Sequence, residues 1–176
     1  MKSGKEKNRQ AGFVLIEVVL MVILIACLCG TAIPAAMQFY REMAIEYEAE
    51  HLLSDIRRTQ ALSRMLVERT YGYGGTDNRQ QEVEIELGST GYTMLVTSGS
   101  GGDRVIHTYL PLVKVSRQSN GEGAATGLIA FKSNGELKNV GTGMMTLLVV
   151  CEGWPQEGRK IMISRAGRVR IERVSL

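Results

Sequence analysis

One carboxylate lies inside an otherwise apolar segment near the N-terminus. The segment runs from Phe13 to Ile33, and Glu17 is its only charged residue. An acidic side chain at the centre of a bilayer costs about 2.5–3.5 kcal/mol on insertion scales, so residues of this kind usually have a functional reason. A buried carboxylate is tolerated when a cation meets it. We therefore take Glu17 as a candidate partner for a positively charged group.

The two histidines are the other residues that suggest chemistry. His51 lies in a predicted helix among Glu48, Glu50 and Asp55, and His107 stands alone in a predicted strand. The sequence has no HExxH, GxSxG, Walker or Rossmann spacing. We predict that both histidines are surface residues or satisfied core residues. We also predict that the chain is not an enzyme and has no cofactor or metal site.

The three cysteines offer no disulfide framework. Cys27 and Cys29 are two apart in the apolar segment and face different directions on a helix, so they cannot pair with each other. Cys151 ends the run MMTLLVVC and is predicted to be a small buried apolar residue.

The apolar segment is long enough to be a membrane anchor. It has 21 residues, and a bilayer core about 30 Å thick requires roughly 20 residues of helix. Residues 1–12 carry four basic side chains and one acidic side chain, a net charge of +3. A basic segment before an apolar span predicts a single-pass chain whose N-terminus is cytoplasmic and whose remainder lies across the membrane.

A second helical segment is predicted from Ala35 to Arg69, directly after Pro34. It contains no glycine or further proline, and its apolar side recurs at three- and four-residue spacing. The positions on this side are Ile45, Ala49, Leu52, Leu53, Ile56, Gln60, Ser63, Leu66 and Val67. With the span, this segment makes one helix of more than fifty residues, and Gly72, Gly74 and Gly75 are expected to end it.

Short strands follow from residue 80 onward. The predicted strands are Val83–Leu87, Tyr92–Val96, Arg104–Leu110, Leu112–Ser116, Gly127–Lys132, Met144–Cys151, Lys160–Ser164 and Val169–Ile171. Turn signals separate them at 88–91, 98–103, 119–121, 133–135 and 165–167. Trp154-Pro155, in the predicted loop EGWPQEG, is a candidate contact with another subunit or a packing residue. The fold class is therefore α+β, a long N-terminal helix followed by an antiparallel β domain.

The segment Arg9-Gln10-Ala11-Gly12-Phe13-Val14-Leu15-Ile16-Glu17 resembles the signature of type IV prepilins. That signature is a short basic leader ending in glycine, then phenylalanine, three apolar residues and glutamate. The resemblance implies that a prepilin peptidase cleaves between Gly12 and Phe13 and methylates the new Phe13 amine. It implies that Glu17 pairs with the α-amine of a neighbouring subunit during filament assembly, and Pro34 falls where many pilins have a proline. The implied location is the bacterial inner membrane, with the β domain outside or in the periplasm.

The β region resembles the GspH/FimT group of minor pseudopilins and minor pilins. The similar segments are HLLSDIRRTQALSRM at 51–65, LIAFKSNGEL at 128–137 and RKIMISRAGRVRIER at 159–173. The fold of this group is a long helix, its first half transmembrane, packed on a C-terminal antiparallel β-sandwich. The implied division of the chain is a cleaved leader at 1–12, a transmembrane half-helix at 13–34, an exported half-helix at 35–70 and a β domain at 71–176.

Two functions follow from this resemblance. One is a structural subunit that helps to initiate a type II secretion or type IV pilus-type filament with other pilin or pseudopilin subunits. The other is capture of double-stranded DNA for uptake by the last hairpin, through Arg165, Arg168 and Arg170. Strand alternation places Val169 and Ile171 on one face and Arg168 and Arg170 on the other. Alternatively, these arginines are a solvated strand face paired with nearby glutamates.

A lipoprotein interpretation competes with the prepilin one. Leu24-Ile25-Ala26-Cys27 has the form of a lipobox, which predicts an anchor at Cys27. An ordinary secretory signal has an uncharged apolar region of 7–15 residues, which this longer segment with Glu17 does not match. Neither alternative explains the position of Glu17.

Overall fold

The N-terminal part of the chain forms one continuous helix. The computed structural model describes residues 5–71, 83–98, 101–118, 123–124, 127–138 and 144–175, and gives no side-chain description at 5–13, 66–71, 97–98, 101, 123–124 and 154–156. Helix α1 spans Lys5–Tyr71 and continues through Pro34, so the two predicted helical segments are one element. The predicted glycine stop begins at Gly72, outside the described residues.

The chain divides into two compact units. The first comprises residues up to Arg41, and its apolar side chains from Val14 to Ile25 are 50–69 % exposed. Among the described residues, α1 is the one helix long and apolar enough to cross a membrane. The second unit is Glu42–Leu176 and contains the rest of α1 with all nine described strands. The predicted domain boundaries stay a prediction.

The strands form two antiparallel sheets. The strands are β1 Val83–Leu87, β2 Gly91–Ser98, β3 Gly101–Thr108, β4 Val113–Gln118, β5 Gly123–Ala124, β6 Gly127–Ala130, β7 Met145–Cys151, β8 Trp154–Ile163 and β9 Val169–Ser175. One sheet has the order β3-β2-β1-β6 and the other β5-β4-β7-β8-β9. The predicted long helix on an antiparallel β domain is therefore confirmed.

The core joins one face of α1 to both sheets. Ile45, Ala49, Leu52 and Ile56 recur at three- and four-residue spacing and are buried. Alternate residues of the strands meet them, and β7 is buried at every second position. The predicted helix stripe is confirmed through Ser63, and Leu66 and Val67 lie outside the described side chains.

Two predicted loops were partly wrong. Ser98 and Gly101 pair with each other, so β2 and β3 extend into the segment 98–103 that was predicted as a turn. Cys151 pairs with Trp154 around Glu152-Gly153, and Gly153 has a φ of +77°. Because glycine adopts this left-handed conformation without strain, the reversal needs only two residues, and Trp154 begins β8. Strand β5 was not predicted at all.

Candidate functional sites

The residues of the prepilin-like motif all lie on α1. Gly12 and Phe13 are helical in backbone, and their side chains lie outside the description. Glu17 is exposed, as are the apolar side chains around it. Among the described residues no ion pair to Glu17 is found within 4 Å. Pro34 is an exposed position inside the helix.

The last hairpin exposes the three predicted basic residues. Val169 and Ile171 are half-buried against the core, whereas Arg168 and Arg170 are exposed. Arg165 is exposed in the turn that joins β8 to β9. These three residues lie on the same hairpin, as the alternation in the sequence predicted. Their contact with DNA stays a prediction.

Two neighbouring arginines face the helix instead. Arg159 on β8 pairs with Glu46 of α1. Arg173 on β9 pairs with Glu157 at 2.7 Å and approaches Glu42 of α1 at 3.6 Å. The hydrogen bond to Glu157 raises the pKa of Arg173. Because these guanidinium groups have carboxylate partners, they belong to the contact between β8, β9 and α1.

A polar cluster connects α1 to the edge of the first sheet. His51 and His107 stack with ring centroids 4.1 Å apart, and Nε2 of His107 lies 2.8 Å from Glu48. Tyr92 donates to Asp55 at 2.6 Å and therefore accepts from Nδ1 of His51 at 2.7 Å. The prediction of satisfied histidines is confirmed, although their mutual contact was not predicted.

The sequence analysis named Glu48 only as a neighbour of His51 and did not predict its burial. Its side chain is 1 % exposed, and it also accepts a hydrogen bond from the backbone N–H of Leu110 at 2.7 Å. The signal was present, because Glu48 follows Ile45 by three residues on the buried helix face. Burial is the main cause that raises the pKa of both Tyr92 and Tyr109, and the charge of Glu48 adds to both.

The described residues offer no site for a metal ion. They contain no group of three or more His, Cys, Asp or Glu side chains that could hold one. Cys27 and Cys29 are exposed on the helix, and Cys151 is buried in β7 as predicted.

Two solved structures share this fold. They are crystal structures, in space groups P65 and P21, of the type IV minor pilin FimU from Pseudomonas aeruginosa PAO1. The first is 18 % identical with a TM-score of 0.50 and covers 72 % of this chain and 91 % of that chain. The second is 17 % identical with a TM-score of 0.51 and covers 73 % and 87 %. No protein-family model and no curated protein matches the sequence. The predicted resemblance is thus confirmed at the level of the fold, which is that of a type IV minor pilin.

Proposed function

We propose that this chain is a minor pilin or pseudopilin, anchored by α1 in the bacterial inner membrane and assembled into a type II secretion or type IV pilus-type filament. The observation that carries the proposal is Glu17, an exposed carboxylate in an exposed apolar helix. In an apolar filament interior it requires a cation. The α-amine of a neighbouring subunit, freed at Phe13 by prepilin peptidase, supplies one. The minor-pilin fold supports this assignment.

Processing is tested in a host with and without its prepilin peptidase. The full chain is extracted from membranes, and its N-terminus is determined by intact mass. We expect a mature chain that begins at methylated Phe13, and only the precursor in the peptidase deletion or in a Gly12→Val variant. A mature chain that begins at lipidated Cys27 would overturn the proposal in favour of the lipoprotein alternative.

Assembly is tested with two substitutions at one position. Glu17→Val removes the carboxylate, and Glu17→Asp retains it on a shorter side chain. Both variants should be processed normally, because the cleavage site is unchanged. We expect Glu17→Val to be missing from sheared filaments and Glu17→Asp to be retained at least in part, as measured by immunoblot. Equal incorporation of wild type and Glu17→Val would contradict the assembly role of Glu17.

Capture of double-stranded DNA is the second candidate function. It is favoured by Arg168 and Arg170, which are exposed in the last hairpin and have no ion pair among the described residues, unlike Arg173. The full chain in uncharged detergent is titrated against DNA at several salt concentrations. Replacing both arginines by alanine should lower the slope of log K against log salt by nearly two, since each phosphate contact contributes about 0.9. An unchanged slope would remove these residues from the interface.

A further inference from the structure

Two turns from distant parts of the chain lie against each other beside α1. The first turn covers residues 132–136, where the N–H of Gly135 donates to Lys132 O at 2.8 Å. The second covers 164–168, where the N–H of Gly167 donates to Ser164 O at 2.9 Å. The N–H of Leu137 donates to Arg165 O at 2.9 Å and joins the two. We call these two segments the paired turns.

Gln60 of α1 holds both members of the paired turns. Its side-chain Nε2 donates to Gly135 O at 2.8 Å and to Gly167 O at 2.9 Å, which uses both hydrogens of the amide. Both glycines have positive φ values, 83° and 78°. A Cβ at Gly167 would overlap Gly135 O and the Gln60 amide. The contact is therefore close enough that only glycine fits at the second turn.

Arg64, one helical turn after Gln60, reaches the same surface. Its guanidinium lies directly against Gly135, in the space that a side chain at that position would fill. Arg64 is exposed, as are Arg165 and Arg168 on either side of Gly167. The fold thus brings an arginine of the helix to the turn at Gly135, which contacts the turn that carries Arg165 and Arg168.

The charge of this surface is only partly balanced by its described neighbours, because Glu136 is the acidic group that interacts with Arg165. Lys132 and Glu136 pair at 3.4 Å and offset each other. Hydrogen bonds from Asn134 and Lys132 are the main causes that lower the pKa of Glu136, and Arg165 adds to them. Arg64, Arg165 and Arg168 have no ion pair within the described residues. Three exposed cations on one surface favour an anion as ligand.

We propose that Arg64, Arg165 and Arg168 form one phosphate-binding surface for double-stranded DNA, and that Gln60 is the residue that positions it. The inference rests on the proposed DNA-capturing function and adds an arginine of the helix to its binding surface. The last hairpin does not bind alone, because the helix supplies one cation, Arg64, and the Gln60 amide that holds the turn in place.

The contribution of Arg64 is tested in the full chain in uncharged detergent. Arg64→Gln should lower the slope of log K against log salt by about 0.9, the loss of one phosphate contact. Arg57→Gln is the matched control, because Arg57 is also an exposed helical arginine but is not among the nearest neighbours of Gly135 or Gly167. Arg64→Lys keeps the charge and should keep the slope. Equal slopes for Arg64→Gln and Arg57→Gln would overturn the proposal while leaving DNA capture intact. Absence of wild-type binding at low salt would overturn both.

The positioning role of Gln60 is tested with Gln60→Leu, which changes no charge. We expect faster amide hydrogen exchange at Leu137 and Gly167, and weaker DNA binding than in the wild type. Gln60→Asn, with a shorter amide that cannot reach both carbonyl groups, should give the same result. Unchanged amide hydrogen exchange together with unchanged DNA affinity would show that the Gln60 amide does not position the surface.

Discussion

Single residues decide how α1 is held against the first sheet. Glu48 carries a carboxylate into the core, where His107 and the N–H of Leu110 both donate to it. Buried polar groups are stable only when they are paired, and the removal of one partner leaves the other unsatisfied. The stacked ring of His51 extends this cluster to Tyr92 and Asp55. The cluster therefore fixes which part of the helix faces β2 and β3.

We expect Glu48→Leu to destabilise the fold. The substitution leaves two buried donors without an acceptor, at about 1–3 kcal/mol for each. The measurement is urea-induced unfolding of the full chain in detergent micelles. Glu50→Leu is the control, because Glu50 is exposed on the same helix. Equal losses of stability in the two variants would contradict the role of Glu48.

The raised pKa values of Tyr92 and Tyr109 predict that the fold loses stability in alkaline solution. Burial raises the pKa of both phenols above the ordinary value of about 10. The folded chain therefore keeps protons that the unfolded chain releases, so the stabilisation is complete below pH 10 and is lost as the pH rises further. Each tyrosine should contribute a slope that approaches about −1.4 kcal/mol per pH unit once the pH exceeds 10. In unfolding experiments between pH 9 and 11, Tyr109→Phe should remove roughly half of this slope, and an unchanged slope would contradict the assignment.

At the scale of secondary-structure elements, two turns contain glycines that differ in the space around them. Gly153 and Gly167 both have a positive φ, 77° and 78°, that other residues adopt at a cost. A Cβ at Gly153 would meet nothing within 4 Å, whereas one at Gly167 would overlap Gly135 O and the Gln60 amide. Substitution of Gly153 therefore tests backbone strain alone, whereas substitution of Gly167 tests backbone strain together with steric overlap.

Gly167→Ala should destabilise the fold more than Gly153→Ala does. Both variants carry the backbone cost of about 1–2 kcal/mol. Overpacking against the paired turns adds about 1–3 kcal/mol in Gly167→Ala alone. Urea-induced unfolding of the two variants measures the difference. Equal destabilisation would mean that the paired turns can separate without cost.

At the scale of the whole molecule, the chain consists of an uncovered apolar helix and a domain with its own core. The side chains from Val14 to Ile25 are exposed, although water is an unfavourable solvent for them. The second unit, by contrast, buries one face of α1 beneath two sheets. A bilayer, or the helices of neighbouring subunits, provides the apolar surroundings that the exposed side chains of the first unit require.

Leu24→Arg should weaken membrane anchoring of the full chain. A cation at the centre of a span costs about 2.5–3.5 kcal/mol on insertion scales. We expect the wild type and a Leu24→Ala control to stay in the membrane fraction after carbonate extraction. A substantial part of Leu24→Arg should appear in the supernatant. Full retention of Leu24→Arg would show that the span tolerates a charge at its centre.

The sequence by itself determined the local elements of this protein. The apolar run with Glu17, the helix stripe from Ile45 to Ser63 and most strands follow from periodic burial, which neighbouring residues encode. The short length of the reversals at Ser98–Gly101 and at Cys151–Trp154 was missed because strand pairing extends into glycine-rich segments that look like turns. Prepilin processing at Gly12 and Phe13 stays a prediction of the sequence.

Only the tertiary structure decided which distant residues meet. Arg170 and Arg173 are both exposed on β9, yet Arg170 has no ion pair in the described chain whereas Arg173 pairs with Glu157. His51 stacks on His107, and Arg64 reaches the turn at Gly135. Local periodicity fixes the face that a residue occupies on its own element. The partner on another element depends on how helix and sheets pack, and that packing places Gln60 between two turns that the sequence keeps far apart.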